Sequence, residues 1–388
     1  MGIGFLKSYL QTTLPYMYSL PYETLRLGVI GMGGFGLFAT QHFLQVPDTQ
    51  LIAIAGTFRE QSQQAARRFK ADILETPEEL VRREDIDVVY LATPPALHYQ
   101  QALLCLQHGK HVICEKPLAL TPDQGKEMLA LAKAKGLLVI TNLMQRYNPM
   151  IGRVQQIIKR NLLGKPLHGY FENYASDEGL SASHWFWNRE ISGGIFIEHG
   201  VHFFDLFEYW LGAGNVVAAQ RVLRPESGLE EQVHATVRYE NDVLVNFYHG
   251  FTQPGRLDRQ ELRIVFEHGD ITLEEWVPTR LKLRGIVNEE QMQQLIDIFP
   301  GAGFDISAVY GGSERRQRGR HQDIEAFQKI ELHFGHETDK QHLYGELLRN
   351  FFTEQSDYLR GRIEKRRSTE ENGLRSLEMA YQASLMAL

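Results

Sequence analysis

The chain has 388 residues, of which 43% are apolar and 23% charged, with a net charge of -7. That length suits two soluble domains, and the negative balance gives no reason to expect nucleic acid or an anionic membrane as partner. The two cysteines, Cys105 and Cys114, exclude a disulfide framework and suit a reducing compartment; both read as core thiols.

Residues 1–24 carry many aromatics, little charge and two prolines. They lack the compact apolar core and small-residue cleavage site of an export signal, so they read as an arm before the first domain of a cytoplasmic protein. The arm would pack on its own subunit or on a neighbour. No stretch reaches the roughly 18 apolar residues of a membrane span.

Leu25–Gly31 reads as a short buried strand, and G-M-G-G-F-G follows at once, with a helix over Leu37–Val46. Gly31, Gly33 and Gly36 fit G-x-G-x-x-G, with Gly34 and Phe35 inside the turn. The first glycine permits the tight turn, the second the approach of a pyrophosphate, and the third close packing of helix on strand. The helix N-terminus then faces the phosphate charge. Leu51–Ala55 is the second strand. An acid that would hold the ribose 2′-hydroxyl is expected about 20 residues past the glycines. Thr57 and Arg59 stand there instead, which favours a 2′-phosphate and hence NADP over NAD.

Helices over 60–70 and Pro77–Arg83 precede a strand at Asp87–Ala92 that ends in Thr93-Pro94-Pro95 and His98. A helix over Leu97–His108 and a strand at His111–Cys114 lead into Glu115-Lys116-Pro117. Thr121 caps the next helix, with Pro122 at its first position, Gln124 completing a capping box and Gly136 closing it. Leu137–Thr141 is one more strand. This alternation specifies a doubly wound parallel sheet, whose ligands bind at the carboxyl ends of the strands. There lie Thr93, Pro94, Pro95, His98, Glu115, Lys116, Asn142 and Arg146, all expected at the cofactor.

After Tyr147 the pattern changes. A helix runs from Asn148 to about Leu163. Alternating strands follow at Leu167–Tyr174, Val216–Leu223, Gln232–Tyr239, Val243–Phe251, Glu261–Glu267 and Ile271–Leu283. Turns at 240–242 and 268–270 join some of them. The result is an α+β domain with a large open, mostly antiparallel sheet. Its uncovered face would be an association site, so a homodimer or homotetramer is expected. Glu289–Ile298 is amphipathic, the basic run at 313–321 reads as a solvated loop, and His342–Leu359 and Ser368–Leu388 are helices. The substrate pocket is expected to draw on the loops at 175–190 and 285–330.

Between the first two of these strands lies S-G-G-I-F-I-E-H-G-V-H-F-F-D, Ser192–Asp205. At helical spacing Glu198, His202 and Asp205 share one stripe on an otherwise apolar helix. Such a stripe faces a ligand, or else is a core histidine satisfied by two carboxylates. His199 falls on a different face, so no metal site is expected.

Several separate motifs together resemble the glucose–fructose oxidoreductase/inositol dehydrogenase/MocA (Gfo/Idh/MocA) family. They are L-R-L-G-V-I-G-M-G-G-F-G, V-V-Y-L-A-T-P-P-A-L-H, G-K-H-V-I-C-E-K-P-L-A-L-T, N-L-M-Q-R-Y-N-P, the Ser192–Asp205 stretch and S-T-E-E-N-G-L-R-S-L-E-M-A-Y-Q-A-S. The resemblance implies a Rossmann domain, a second domain whose open sheet forms subunit contacts, and hydride transfer between NAD(P) and a sugar, polyol or related ring compound. It places the catalytic lysine on Lys116, the histidine on His202 and an acidic partner on Glu198, where the family usually has Asp. It matches Asp205 to a second recurrent acid, and Trp187 and Arg189 to an element near the cofactor. The expected division is an arm over 1–24, a cofactor domain over 25–147 and a substrate and oligomerisation domain over 148–388. In this reading His202 and Lys116 handle the proton and the developing charge, and Glu198 orients His202. The rival readings are a non-catalytic NADP-sensing protein and a redox-assisted lyase or glycosidase with no net cofactor use.

Overall fold

The computed structural model describes residues 23–387 apart from 57–58, 178, 320–322 and 336–338, and the backbone alone at Arg59 and Gln61. The expectations for the arm up to residue 22, for Thr57 and for the Arg59 side chain lie outside the described residues.

The first half alternates strand and helix. In chain order it contains β1 (Leu25–Ile30), α1 (Gly34–Phe43), β2 (Thr49–Ala55), α2 (Arg59–Phe69), β3 (Asp72–Leu74) and α3 (Pro77–Val81). Then come β4 (Val88–Leu91), α4 (Pro95–Gln107), β5 (His111–Cys114), α5 (Pro122–Lys135) and β6 (Val139–Thr141). The strands form one six-stranded parallel sheet in the order β3-β2-β1-β4-β5-β6. Central strands are buried along their whole length, which is why they read as continuous apolar runs. The sequence reading has no β3: it is three residues long, on the edge, and mostly exposed, so it carries no hydrophobic signal. The Thr121–Gln124 capping box forms as expected, and Gly136 stops α5 in the left-handed conformation at φ 65°.

The second half contains α6 (Pro149–Lys159), β7 (Pro166–Tyr174), the one-turn α7 (Arg189–Ser192) and α8 (Val201–Leu211). The strands β8 (Gly214–Leu223), β9 (Glu230–Tyr239), β10 (Leu244–Gly250), β11 (Arg259–Phe266), β12 (Gly269–Glu274) and β13 (Arg280–Val287) follow. After them come α9 (Glu289–Ile298), β14 (Gly303–Val309), β15 (Arg316–Arg318), β16 (Asp323–Glu325), β17 (Gln328–Gly335), α10 (Lys340–Leu359) and α11 (Glu370–Met386). Nine strands form one sheet in the order β14-β17-β13-β12-β11-β7-β10-β9-β8, antiparallel except for the β7–β10 pair.

Three expectations are corrected here. The helix after Asn148 ends at Lys159 rather than near Leu163, because Asn161 turns the chain at φ 53°. Ile271–Leu283 is two strands: Pro278, which cannot donate to a ladder, lies in a turn with Glu275 at φ 74°. The basic run is no plain loop, since Arg316–Arg318 pairs with Asp323–Glu325 in an exposed hairpin. The uncovered face of the large sheet is largely polar. It carries Tyr170 bonded to Glu261, Thr236 to Asn246 (2.8 Å) and Tyr248 to Gln232 (2.9 Å).

The covered face packs on α8, where Phe171 of β7 stacks on Phe203 at 3.5 Å between centroids. The last two helices return to the first sheet. Phe352 of α10 stacks on Phe43 of α1 at 4.4 Å, and α11 runs against α8 and α5. Gly373 lets α11 approach β6, since a Cβ there would overlap the Thr141 side chain. Helix α11 thereby bridges β6 of the first sheet and β8 of the second.

Candidate active site

The carboxyl ends of β5 and β6 supply a buried polar cluster. Glu115 accepts hydrogen bonds from the Tyr90 hydroxyl at 2.6 Å and Asn142 Nδ2 at 2.7 Å. Burial pushes its carboxyl above the usual carboxylate range, against the pull of those two donors. His98 is fully buried between the carbonyls of Pro117 (2.7 Å) and Thr93 (2.8 Å). It straps the Thr93–Pro95 turn to the Lys116–Pro117 turn and so acts on the loops rather than toward the cavity. Thr93 gives its hydroxyl to Gln101 at 2.7 Å, while Pro94 and Pro95 begin α4.

Lys116 is the centre of the site. Its Nζ donates to the Glu198 carbonyl at 2.9 Å and forms a short ion pair with the Glu198 carboxylate. Glu198 therefore holds Lys116, and no bond from it to His202 exists; the expected orienting role is corrected. Glu198 sits in a wide π turn, Phe196–Gly200, that opens directly into α8. Such turns displace side chains from regular helical register and recur at functional sites.

His202, one turn further on, is 6% exposed and has no partner for Nδ1. Burial and the nearby Lys116 cation push its imidazolium well below the ordinary histidine range, so the ring is neutral near neutral pH. His199 hydrogen-bonds His249 through their Nδ1 atoms at 2.9 Å, and burial holds it down at about 4.

The third residue of the stripe goes elsewhere. Asp205 takes two hydrogen bonds from Arg146, at 2.8 Å and 2.7 Å, and Arg146 also donates to the Arg367 carbonyl at 3.0 Å. Arg146 is 6% exposed, and a cation that deep needs a carboxylate beside it. Through this internal ion pair it ties the end of β6 to α8. Arg189 likewise points to Ser384 (2.8 Å) and Glu230 (3.9 Å), while Trp187 faces the cavity.

The glycine turn fits a dinucleotide. Gly31 stands at φ 96°, where a Cβ would collide with the Ala92 carbonyl, and a Cβ on Gly36 would strike the Gly31 carbonyl. A Cβ on Gly33 or Gly34 would meet open space. Gly33 caps α1 without any side-chain bond, so the first amides of this ten-residue helix face that space unblocked. Phe35 extends from the same turn into the cavity wall.

That cavity measures about 980 Å³. Lys116, Glu198 and His202 form one side. Described residues of the 175–190 stretch, expected to contribute, form another, among them Ala175, Leu180 and Trp185 to Trp187. Among the described residues of 285–330, also expected, none lines it; the β12–β13 turn and the start of α10 do instead. The sequence reading missed Trp276 and Tyr344, whose rings lie 5.1 Å apart and whose row reaches His202, 6.4 Å from Trp276. Gln145 anchors the Trp276 carbonyl. A tryptophan two residues before a proline inside an assumed strand was the one available signal.

Comparison with known proteins comes to the same place. The GFO/IDH/MocA oxidoreductase model, with an NAD-binding Rossmann fold, matches residues 25–143, and the C-terminal domain model of the same family matches residues 151–272. The scyllo-inositol 2-dehydrogenase (NAD+) of Bacillus subtilis is 27% identical over 191 residues, 49% of this chain and 54% of that one. The dTDP-3,4-didehydro-2,6-dideoxy-alpha-D-glucose 3-reductase of Saccharopolyspora spinosa is 26% identical over 313 residues, 75% of this chain and 92% of that one. The chain spans about half the length of the first curated relatives it matches. In structure, a levoglucosan dehydrogenase in complex with NADH and L-sorbose superposes with a TM-score of 0.72 at 20% identity, over 94% of this chain and 98% of that one. That likeness concerns the fold.

Proposed function

On the premise that this chain belongs to the GFO/IDH/MocA oxidoreductase family, we propose that it transfers hydride between a nicotinamide cofactor and a hydroxyl or carbonyl carbon of a sugar, polyol or related ring compound. The observation that carries this is the pairing of Lys116, locked by Glu198, with a neutral His202 on one cavity wall.

The cofactor supplies the hydride acceptor or donor. The uncapped start of α1 at Gly33 and Gly34 would hold its pyrophosphate, and Glu115 and Asn142 line the cavity beside Lys116. In the oxidising direction the substrate hydroxyl loses its proton to His202. Nδ1 is sealed from solvent, so Nε2 is the nitrogen left to take it. The Lys116 ammonium steadies the alkoxide as charge develops, and Glu198 keeps that ammonium in place. Reduction runs the same groups in reverse. A positioned base contributes about 10²–10⁴-fold.

Three finer readings belong to this proposal. NADP(H) binds more tightly than NAD(H), on the strength of Thr57 and Arg59 in place of an acid. Residues 25–147 and 148–388 act as cofactor and substrate domains. Two or four copies associate through the polar face of the large sheet, and light scattering giving only a monomer at micromolar concentration would remove that reading. The test of the whole is nicotinamide absorbance across a panel of sugars and cyclitols with both cofactors. Turnover with at least one substrate is expected, faster at low cofactor with NADP. Silence across the panel, with no cofactor bound in titration, would overturn it.

A further inference from the structure

Strand β10 carries one residue that its pattern does not ask for. Val245, Phe247 and His249 alternate on the covered face of the large sheet, and all three are fully buried. An apolar side chain would suit the third place as well as it suits the first two. His249 instead brings two ring nitrogens in among Phe171 and Phe203, whose ring centroids lie 5.1 Å and 5.8 Å from its own. Its Nε2 has no partner and faces Gly200, where a Cβ would stand 3.7 Å away. Burying a polar ring with one nitrogen bare costs stability.

The one bond that His249 makes among the described residues runs to His199, Nδ1 to Nδ1 at 2.9 Å. Two nitrogens that close hold one proton between them, one donating and the other accepting. Burial keeps both rings neutral, His199 at about 4 and His249 well below the ordinary histidine range. What His249 contributes is therefore the orientation of His199.

That orientation matters because of where His199 stands. Regular helical spacing would put it on another face, but the wide turn Phe196–Gly200 carries it to the cavity wall beside Glu198 and His202. Its ring lies against Phe203 at 5.4 Å and meets Phe251 edge to face at 5.7 Å. With Nδ1 turned inward to His249, Nε2 is the nitrogen left for the cavity. No described residue bonds it, and unlike His249 Nε2 it is not sealed from solvent. A ligand that displaces water from this wall must give Nε2 a hydrogen-bond partner or leave it bare at a cost.

We propose that His199 binds a hydroxyl or carbonyl oxygen of the substrate next to the oxygen that exchanges its proton with His202, and that His249 is a positioning residue acting through His199. This rests on the hydride-transfer reading above for what is bound, so the test reads binding and stability separately from turnover. His249→Leu puts an apolar side chain where the alternation asks for one and removes a bare nitrogen. Denaturant titration should therefore find it at least as stable as wild type. The NADPH-loaded protein is titrated calorimetrically with myo-inositol, D-glucitol and 1,5-anhydro-D-glucitol, three alcohols that NADPH cannot oxidise. The tightest of them should bind at least about tenfold more weakly to His249→Leu and to His199→Ala than to wild type. His249→Asn, whose amide can still meet His199 Nδ1, should return to within about threefold of wild type. NADPH should bind all of these variants within about threefold of wild type.

Unchanged alcohol binding in His249→Leu overturns the proposal. So does a His249→Leu protein that loses stability in step with affinity and is not rescued in His249→Asn, because that is core packing. No binding of any of the three alcohols to wild type overturns it as well. Weakened binding that follows the pair, without hydride transfer to or from any sugar or cyclitol, would keep the pair and remove the proposed activity. Hydride transfer indifferent to both substitutions would keep the activity and remove the pair.

Discussion

The cavity has two unlike walls. One is made by the ends of the parallel strands β5 and β6, where Glu115, Lys116 and Asn142 emerge within two residues of buried backbone and bond to one another's neighbours. The other is made by described residues of the loop after β7 and by the β12–β13 turn, with half-buried rings. The first wall is rigid and suited to chemistry, which needs groups fixed within fractions of an ångström. The second can vary without disturbing a core and is suited to choosing the substrate.

The largest expected effect separates the two. Lys116→Ala should lower kcat by about 10²–10⁴-fold while the cofactor dissociation constant stays within about tenfold of wild type. Trp276→Ala, on the opposite wall, should act mainly on KM, with kcat changed by less than about tenfold. Steady-state kinetics on one turned-over sugar decides the matter. Equal losses of kcat in both variants would show that the walls do not divide the work.

The next effect concerns what joins the walls. Arg146 and Asp205 form a bidentate pair at 2.8 Å and 2.7 Å, with 6% and 1% exposure. Removing one partner of such a pair strands the other charge, at a cost of about 3–5 kcal/mol. Arg146→Ala should thus lower stability by that amount in denaturant titration, and Asp205→Asn should follow it. A variant of normal stability that instead lost cofactor affinity would return Arg146 to the cofactor.

These cases show what a chain reveals on reading. The strand–glycine–helix unit and the capping box at Thr121 depend on residues close in sequence, so they were legible. The place of Lys116 followed from one topological rule about strand ends. Its partner did not, because the choice of Glu198 between Lys116 and His202 depends on a π turn and on contacts across 82 positions. The Asp205 partner of Arg146 was hidden for a related reason: strand-end position is readable, but burial, which demanded a carboxylate beside the guanidinium, is a tertiary fact. Trp276 was hidden because alternation continued on both sides of the turn, and α10 gave no hint that it would cross back to β4 and α1.

A smaller effect tests the rigidity of the first sheet. His111, 8% exposed on β5, accepts the Leu138 amide on Nδ1 at 3.0 Å, and that bond requires a neutral ring. Burial pushes it from 6.5 to about 4, with the Asp87 charge opposing. Between those values the unfolded chain binds more protons than the folded one. The histidine's contribution is therefore complete above pH 6.5 and is lost as pH falls toward about 4, by at most roughly 3 kcal/mol. Denaturant titrations at several pH values should show wild type losing more stability on acidification than His111→Gln. Parallel curves would show that the ring is not the sensor.

The smallest expected effect asks whether legibility and energy go together. The same device occurs on both sides of the molecule. Thr121 and Gln124 cap α5, exchanging bonds of 3.3 Å and 3.3 Å, and Asn288 and Gln291 cap α9 with bonds of 2.8 Å and 2.8 Å. Only the first was read from the sequence, because Pro122 directly after Thr121 marked the start of α5, whereas no proline marks the first turn of α9. Each cap satisfies amides that a helix leaves bare, which is worth about 1 kcal/mol. If capping is local, Thr121→Ala and Asn288→Ala should each lower stability by about that amount, with Asn288→Ala at least the equal of the other because its bonds are shorter. Matched denaturant titrations measure both. A negligible loss for Asn288→Ala would mean that α9, with Leu295 and Ile298 buried against the large sheet and α6, is held by packing alone, and the second half of the chain would then be illegible because its local signals carry little energy.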